Sequence, residues 1–432
     1  MKTSVPGESA PLRVLLAPFG SEGDVAPFLW LADRLVARGH RVRVAANPLF
    51  ADLVRRRGHD YYAAGSAELL RVTMEDPRVW DGRKAPQLLL NSLVGSLAGC
   101  AEPFLRAETG ADLLVGSSFA LGAFFAAESR GIPYVRLHLQ ASALRSVGDL
   151  PVLGDRLGWT RRLPAPVIRG LFRLLDLGLD GQPLRQVNRF RATLGLPPQR
   201  SFYRDVCNGG AGLGGLFPEW YAPVQPDWPT GIRLFGFPLE PAAPPAPLAE
   251  PVERFLAGGE KPVLWTHGSA NYHTADFVRA AERTCAQLGV RGIVVAPRIG
   301  ETAAPAAPGV LRLDYAPFDG LFPRCRALVH HGGIGTLAKA LRAGLPQLVI
   351  PRAYDQFDNA ARAERLGFGL GLSYRHLHRT AERLRALLAE PRHAARAREL
   401  GRQVSVPADI VAWLEGIAIG SRSKSPHAAP AD

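Results

Sequence analysis

The stretch 327–362 constrains the fold of this chain more than any other. It holds a short apolar run at 327–329, a glycine-rich turn, a helical pattern and a second apolar run at 347–350. Two buried strands joined by a glycine turn and a helix are typical of a βα unit in a parallel sheet. The turn therefore opens the N-terminus of a helix, which we predict to begin at Thr336 and to close at Gly344.

The glycine turn suits an anion. The first amides of a helix have no partner within the helix, and the helix dipole places partial positive charge there. Gly332, Gly333 and Gly335 allow a diphosphate to approach the backbone, and His331 adds a side-chain donor. The glycines alone leave phosphate binding and tight packing equally open, because the pattern differs from G-x-G-x-x-G.

A carboxylate and an amide, Asp355 and Gln356, follow the second apolar run. In an open parallel sheet this loop and the glycine turn lie at the carboxyl ends of neighbouring strands, where ligands bind. Such a pair suits sugar hydroxyls, which donate and accept hydrogen bonds. Taken alone, however, Asp355 is better explained as the cap of the following helix.

The segments HHGGIGT, LPQLVIP and DQFDNA together resemble the donor-binding signature of the UDP-glycosyltransferase superfamily. The resemblance implies an α/β protein of GT-B fold, with two Rossmann-like, doubly wound domains facing each other across a cleft. It also implies an inverting, metal-independent transfer of a sugar from a nucleoside diphosphate to an acceptor hydroxyl. The implied donor sites are, for the diphosphate, Gly268, Ser269, His331, Gly332, Gly333, Gly335 and Thr336, and, for the sugar, Asp355 and Gln356.

Composition limits the class of protein. With 432 residues the chain is long enough for two domains, and its 47% hydrophobic and 21% charged content is ordinary for a globular protein. The net charge of +13 admits nucleic acid, an anionic membrane or an acidic substrate as partner. No compact Lys/Arg block or RNA-binding signature occurs, so we expect no nucleic-acid partner.

The cysteines and the termini bear on the compartment. Cys100, Cys207, Cys285 and Cys325 are far apart and form no C-x-x-C pair, which predicts buried thiols rather than a disulfide framework or a zinc site. The first residues lack a secretory apolar region. The charge-free run 113–127 is shorter than the ~20 residues that span a bilayer. We predict a cytoplasmic protein without a transmembrane span.

The N-terminal half repeats the βα pattern, and its first turn carries Asp24. Apolar runs at 13–17 and 41–46 alternate with helical patterns, which predicts a parallel sheet. One interpretation of Asp24 is the N-cap of a helix that begins at Val25. Pro27 weakens this interpretation, because it would remove one amide that the cap could bind.

The loop around Asp24, GS-x-GD-V-x-P, resembles that of bacterial glycopeptide and sterol glycosyltransferases. The resemblance implies that Asp24 is the catalytic base, which takes the proton of the acceptor hydroxyl. Burial in a pocket raises the pKa of a carboxylate and makes it a better base. The same resemblance assigns contacts with donor and acceptor to the loop residues Gly20, Ser21 and Gly23.

Two further segments of this half keep open interpretations. The resemblance implies an acceptor pocket in 66–111, although helix packing explains its apolar residues equally well. The segment 155–176 mixes arginine with Trp, Leu, Ile and Phe. It can lie on an anionic membrane, wall the acceptor cleft or form a plain two-sided helix.

A proline- and alanine-rich linker at 242–251 marks the domain boundary. We predict an N-terminal acceptor-binding domain at 1–240, a C-terminal nucleotide-sugar-binding domain at 241–405, a helix at 406–420 that packs back on the first domain, and a disordered tail at 421–432. After the apolar run 310–313, the resemblance implies backbone contacts with the nucleobase. The residues assigned to these contacts are Tyr315, Ala316 and Pro317. Uridine and thymidine both remain open.

Segments across nearly the whole chain are most similar to the rhamnosyltransferase B chains of rhamnolipid biosynthesis; they include TMEDPRVWD and LFPEWYAPVQPDWP. This similarity implies dTDP-L-rhamnose as co-substrate, no other cofactor, and a 3-(3-hydroxyalkanoyloxy)alkanoate acceptor that gives a mono-rhamnolipid. Contact with the inner membrane or a partner subunit is a further expectation.

Three alternatives remain beside this function. A sterol, polyketide or other hydrophobic aglycone can replace the lipid acceptor, with a UDP- or dTDP-hexose as donor. An NAD-dependent oxidoreductase requires a G-x-G-x-x-G turn between a strand and a helix together with an acidic residue ~20 positions further on, a combination that we find in neither half. A non-catalytic subunit that binds a nucleotide sugar does not explain why Asp24, His331, Asp355 and Gln356 occur together.

Overall fold

The computed structural model describes residues 10–82, 84–106, 110–155, 157–240, 247–268, 274–296, 306–404 and 409–422. Within these ranges the chain forms two sheets whose neighbouring strands all run parallel. Ser269, one of the predicted phosphate ligands, lies outside the described residues, as do residues 1–9 and 423–432.

The first sheet has the strand order β3-β2-β1-β4-β5-β6-β7. Its strands are β1 Arg13–Ala17, β2 Arg41–Ala46, β3 Asp60–Ala63, β4 Leu113–Ser117, β5 Tyr134–His138, β6 Gly212–Gly215 and β7 Arg233–Leu234. Every residue of β4 and β5 is buried, because helices cover both faces of a doubly wound sheet.

The second sheet repeats the pattern with the order β10-β9-β8-β11-β12-β13. Its strands are β8 Val263–Thr266, β9 Gly292–Val295, β10 Val310–Leu313, β11 Ala327–His330, β12 Gln347–Val349 and β13 Gly369–Gly371. In each sheet the direction of the strand order reverses beside the first strand, between β1 and β4 and between β8 and β11. Such a reversal leaves a crevice at the carboxyl ends of the strands.

The helices around the first sheet are α1 Glu22–Ala37, α2 Ala51–Arg56, α3 Ala67–Glu75, α4 Ala85–Gly95, α5 Leu97–Arg106, α6 Leu121–Ser129, α7 Ala165–Leu179 and α8 Gln182–Thr193. Those that follow β7 are α9 Glu250–Ala257, α10 Ala275–Leu288, α11 Phe318–Leu321, α12 Ile334–Arg342, α13 Gln356–Leu366, α14 Thr380–Ala389, α15 Pro391–Gln403 and α16 Ile410–Arg422. Short 3-10 turns include Pro77–Trp80 and Tyr374–Arg379.

The last helix lies in the core of the first sheet. Ile410, Val411 and Leu414 of α16 are buried in the same apolar cluster as Leu16 of β1 and Leu35 of α1. The chain therefore returns to its N-terminal half after completing the second sheet. Among the described residues no single helix is long and apolar enough to cross a membrane, although α4 and α5, bent by 47°, pass that test together on length and composition.

Two helices begin earlier than the sequence predicts. Helix α1 begins at Glu22, not Val25, because Ser21 is its N-cap. Helix α12 begins at Ile334, not Thr336, because Gly333 takes the extended N-cap conformation without a capping side chain. All four cysteines are free; Cys285 and Cys325 are buried, whereas Cys100 and Cys207 are only partly buried, contrary to the prediction for those two.

A buried cluster of charges joins the two halves. Asp149, in the loop after β5, lies 2.8 Å from Nη1 of Arg362 and 2.7 Å from Nη1 of Arg365, both on α13. The Nε of Arg362 donates to Asp358 over 2.6 Å. Asp358 also accepts a hydrogen bond of 3.1 Å from the amide of Val152. Since Asp149, Asp358 and Arg362 are each at most 4% exposed, the pairs hold α13 against the first half in a medium of low dielectric.

We expect Asp358→Ala to destabilise the protein by about 3 kcal/mol, because it leaves Arg362 and the Val152 amide buried with one partner fewer. Glu399→Ala is the matched control, since it breaks an exposed pair with Arg396 and should cost about 1 kcal/mol or less. Urea denaturation monitored by tryptophan fluorescence measures both. Equal effects of the two substitutions would contradict a stabilising role for the buried cluster.

Candidate active site

Asp24 lies just beyond the carboxyl end of β1, in the first turn of α1. Its Oδ2 accepts hydrogen bonds from the backbone N–H of Ser21 (2.7 Å) and from its hydroxyl (3.0 Å). The interpretation of Asp24 as the N-cap is therefore wrong, because Ser21 occupies that position and Asp24 reaches back to it. Among the described residues, no group donates to Oδ1 of Asp24, so this oxygen is available to a proton. Burial raises the pKa of Asp24, and the hydrogen bonds from Ser21 oppose the shift.

Gly20 makes this position of the carboxylate possible. Its φ of +131° favours glycine, and a Cβ at this position would lie 2.2 Å from Oδ2 of Asp24. The preceding residue, Phe19, donates its amide to the Ser117 hydroxyl at the end of β4 (3.0 Å). The loop is thus fixed to two neighbouring strands, and the carboxylate fills the space that a side chain would need.

In the glycine turn after β11, the backbone N–H and carbonyl of Gly332 are already hydrogen-bonded within the protein. The N–H of Gly332 donates to Nδ1 of His330 (3.2 Å), and the carbonyl of Gly332 accepts from Nδ2 of Asn359 (2.8 Å). Gly332 has φ +96°, and a Cβ there would lie 2.7 Å from Val349. The amide of Gly332, predicted to bind a diphosphate, is therefore already committed to the turn.

The free donors begin one residue later. Gly333 is the N-cap of α12, and the first intrahelical bond runs from Leu337 N–H to the Gly333 carbonyl (3.0 Å). The amides of residues 333–336 consequently have no helical acceptor. A Cβ at Gly335 would meet no atom within 4 Å, so open space adjoins this end of the helix. Such an arrangement can bind an anion through backbone groups alone.

His331 packs between two glycines. A Cβ at Gly268 would lie 2.7 Å from Cε1 of the imidazole, and a Cβ at Gly333 would lie 2.5 Å from its Nε2. Gly268 has φ +81° and donates its amide to the Thr266 hydroxyl at the end of β8 (3.3 Å). Burial lowers the pKa of His331 to about 4, with the Thr266 backbone opposing the shift. The imidazole is therefore neutral near pH 7.

The loop between β12 and α13 brings Asp355 and Gln356 to the same end of the sheet. Asp355 occupies the N-cap position of α13, but its side chain makes no capping hydrogen bond. It accepts instead from Nδ2 of Asn359 (2.8 Å). The Oε1 of Gln356 accepts from the backbone N–H groups of Arg352 (2.9 Å) and Ala353 (3.2 Å), which fixes the loop. The side-chain NH2 of Gln356 remains for other contacts.

Asp24 and Asp355 approach each other from the two halves. Burial raises the pKa of Asp355 to about 7, and the charge of Asp24 is the second cause of the shift. Hydrogen bonding from Asn359 opposes it. The two carboxylates therefore lie close enough for their charges to interact, which links the carboxyl end of β1 to that of β12.

Tyr354 lies beside this pair. It is the one described residue other than glycine with a positive φ, 58°, an unfavourable conformation for an aromatic residue. Its ring meets that of Trp80 edge-on, with centroids 6.2 Å apart. Burial raises the pKa of Tyr354 to about 12, and Asp24 adds to the shift, so its hydroxyl stays protonated.

The loop after β10, predicted to contact a nucleobase, is accessible. The side chain of Tyr315 is 80% exposed, Ala316 is buried, and Pro317 is the N-cap of α11. Since β10 is the edge strand of the second sheet, this loop lies at the border of the crevice.

Sequence reasoning missed three residues of this region. Asn359 links the glycine turn to Asp355, and its Oδ1 accepts from the Tyr221 hydroxyl (2.7 Å). Arg352 places its guanidinium 4.0 Å from the centre of the Tyr374 ring, and Tyr354 carries the positive φ. Asn359 was visible in the sequence segment DQFDNA, whereas nothing in the sequence singles out Arg352 or Tyr354.

Comparisons with known proteins identify relatives of this chain. A family model described as the C-terminal domain of erythromycin biosynthesis protein CIII-like proteins matches residues 287–416. An uncharacterised glycosyltransferase of Mycobacterium leprae is 31% identical over 93% of this chain and 94% of its own length. The O-mycaminosyltylonolide 6-deoxyallosyltransferase of Streptomyces fradiae is 30% identical over 91% and 94%.

Solved structures confirm the fold prediction. The spinosyn rhamnosyltransferase, solved in complex with thymidine diphosphate, superposes with a TM-score of 0.65 at 18% identity, covering 94% of this chain and all of the other. At this identity the likeness establishes the fold, two parallel-sheet domains of GT-B type.

We expect Asp355→Asn to stabilise the protein at high pH. Because the pKa of Asp355 is about 7 in the folded state and 3.8 ordinarily, the folded state binds the proton more tightly. Wild-type stability therefore falls as pH rises through about 7. The variant lacks this loss and retains an acceptor for Asn359. Because the loss begins near the unfolded pKa of 3.8 and is complete above about 7, the advantage of the variant over the wild type should grow by about 2.5 kcal/mol from about pH 5 to about pH 8.

Thermal unfolding at both pH values measures this difference. Glu382→Gln serves as the control, because Arg379 holds the pKa of Glu382 below its usual value and the substitution should shift stability equally at both pH values. A pH-independent effect of Asp355→Asn would show that Asp355 does not titrate in this range.

Proposed function

Because this chain belongs to the GT-B superfamily of nucleotide-sugar glycosyltransferases, we propose that it transfers L-rhamnose from dTDP-L-rhamnose to a hydroxyl of a lipid-like acceptor. The observation that carries the proposal is the approach of Asp24, from the first domain, to Asp355 in the second, which Asn359 connects to the glycine turn before α12. A base and an anion site then face each other across the crevice, as a displacement at the anomeric carbon requires.

In the proposed reaction the acceptor oxygen attacks the anomeric carbon. The new C–O bond forms as the bond between that carbon and the diphosphate oxygen breaks, and the diphosphate leaves with the electron pair. Asp24 takes the hydroxyl proton on Oδ1, which receives no hydrogen bond from the described residues. Its raised pKa makes it a better base than an exposed carboxylate. A single displacement inverts the anomeric carbon.

The leaving diphosphate would be stabilised by neutral donors. The amides of residues 333–336 have no helical acceptor, and one ring nitrogen of the neutral His331 carries a proton. Such donors are fixed before the reaction, so they stabilise the developing charge without reorganising. The bound diphosphate would in turn raise the pKa of His331, since a nearby negative charge favours the protonated ring.

Asp355 and the amide group of Gln356 are assigned to the sugar hydroxyls. The carboxylate of Asp355 accepts hydrogen bonds and the Gln356 amide donates them, which matches the two roles of a hydroxyl. The loop of Tyr315, Ala316 and Pro317 is assigned to the nucleobase. A donor sugar of the 6-deoxy class is in keeping with the relatives named for 6-deoxyallosyl and rhamnosyl transfer.

The acceptor is proposed from the whole-chain resemblance to rhamnolipid enzymes, with a 3-(3-hydroxyalkanoyloxy)alkanoate as the best candidate. A polyketide aglycone is the second candidate, since the Streptomyces fradiae relative is named for a tylonolide acceptor. The test is the release of nucleoside diphosphate from dTDP-L-rhamnose and from UDP-glucose, each with and without either acceptor.

Release of dTDP that depends on the hydroxyalkanoate supports the proposal. Release that depends only on the polyketide changes the acceptor and keeps the mechanism. Consumption of UDP-glucose alone would overturn the donor assignment.

We expect Asp24→Asn to lower kcat by about 10³-fold, the usual contribution of a general base, while dTDP affinity stays near that of the wild type. Asn can still accept from both donors of Ser21, so the loop should keep its conformation. Glu22→Gln, in the same helical turn, is the matched control and should retain activity. Steady-state kinetics and calorimetric titration with dTDP separate the two effects; weakened nucleotide binding would assign Asp24 a structural role.

Gly20→Ala should lower kcat by about 10²-fold without changing dTDP affinity, because its Cβ displaces the Asp24 carboxylate. Gly416→Ala, the control, adds the same methyl group in α16, away from the assigned site residues, where no atom lies within 4 Å. It should be close to wild type in the same assay. Similar activity for the two variants would mean that the position of the carboxylate does not limit the rate.

A further inference from the structure

Exposed apolar side chains are concentrated in one part of the first domain. Of the sixteen large apolar residues that are exposed in the described part of the chain, eight lie between Leu153 and Leu177. Scattered single apolar residues are normal on a protein surface, whereas a contiguous group marks a contact site. Five of the eight belong to α7 and are here called the α7 face: Val167, Leu171, Leu174, Leu175 and Leu177.

The α7 face points away from the protein. Ile168 is the buried residue of this helix. Phe172 lies 4.9 Å from the guanidinium of Arg145, which also pairs with Asp176 over 2.6 Å, so this side of α7 packs inward. Val167, Leu171 and Leu174 follow one another at helical spacing on the opposite side and are 45%, 45% and 67% exposed. An amphipathic surface helix normally buries its apolar stripe, and α7 instead presents one to its surroundings.

Positive charge surrounds the α7 face. Arg162, Arg169 and Arg173 are exposed next to it, and Arg185 and Arg189 are exposed on α8, which packs against α7. None of these five pairs with a carboxylate among the described residues, unlike Arg71, Arg106 and Arg379 elsewhere on the surface. The carboxylates of this region are engaged, since Asp176 binds Arg145 and Asp180 accepts from the amide of Phe202.

We propose that the α7 face docks the protein on an anionic membrane surface. The leucines enter the boundary between headgroups and acyl chains, and the unpaired arginines lie at the level of the lipid phosphates. A second copy of the chain fits this face poorly, because a twofold interface would bring the same arginines together. The inference is independent of the acceptor and donor proposed above.

Co-sedimentation with vesicles tests the proposal without any sugar donor. The full chain should bind vesicles of phosphatidylglycerol and phosphatidylcholine, bind vesicles of phosphatidylcholine alone much less, and dissociate in high salt. Leu171→Ser combined with Leu174→Ser should lower the partition coefficient by about tenfold or more, because two large apolar side chains no longer enter the bilayer. Arg169→Ser combined with Arg173→Ser should lower binding to the anionic vesicles by about tenfold.

The matched control is Val36→Ser combined with Leu49→Ser, which removes two apolar side chains of similar exposure far along the chain from α7. It should bind vesicles like the wild type, and all variants should keep the unfolding temperature because these side chains are exposed. Wild type that does not bind anionic vesicles overturns the proposal. A leucine variant that binds anionic vesicles as well as the wild type also overturns it. A dimeric wild type with a monomeric leucine variant would do the same, because the α7 face would then be a dimer interface.

Discussion

The ion pair between Asp149 and Arg362 fixes the helix on which the second side of the crevice is built. Arg362 lies on α13, and the first two turns of the same helix carry Asp355, Gln356 and Asn359. Asn359 ties this helix to the Gly332 carbonyl in the glycine turn. A displacement of α13 would therefore move the carboxylate, the loop and the turn together. The position of the groups on α13 relative to Asp24 therefore depends on the buried cluster of charges that joins the two halves.

Burial of the carboxylates of Asp24 and Asp355 costs the folded protein electrostatic free energy. Asp24 and Asp355 are both partly withdrawn from water, and each has a raised pKa, which means that the folded state disfavours their charged forms. The buried cluster around Arg362 and the apolar cores of both sheets stabilise the fold enough to hold these carboxylates together. Groups that destabilise the folded protein in this way are typical of sites that perform chemistry.

Much of the architecture was predictable because its causes are local. Apolar runs predicted β1, β2 and β10 with the bounds that the structure gives, and glycine turns marked the carboxyl ends of β1 and β11. The predicted start of α1 was wrong. Ser21 and Asp24 form a reciprocal cap that begins the helix at Glu22, so Pro27 lies inside the helix.

What the sequence did not reveal depends on contacts between distant segments. The pairing of Asp149 with Arg362, separated by more than two hundred residues, follows from how the domains meet. The approach of Asp24 to Asp355 has the same origin. Tyr354 is held at positive φ by a loop that Gln356 and Trp80 stabilise, and no local preference of tyrosine predicts that conformation. The commitment of the Gly332 amide to His330 likewise requires the folded turn.

The proposed anion site consists of dipoles without net charge, and the carboxylates of Asp24 and Asp355 explain why this matters. A free ammonium or guanidinium in the crevice would be attracted to Asp24 or Asp355 before any donor arrived, and such a pair would have to be broken for binding. Helix amides and a neutral imidazole have no net charge and remain available. The guanidinium of Arg352, in the loop between β12 and α13, lies over the Tyr374 ring instead. Burial keeps His331 uncharged, so the proposed anion site adds no fixed cation that would pair with Asp24 or Asp355.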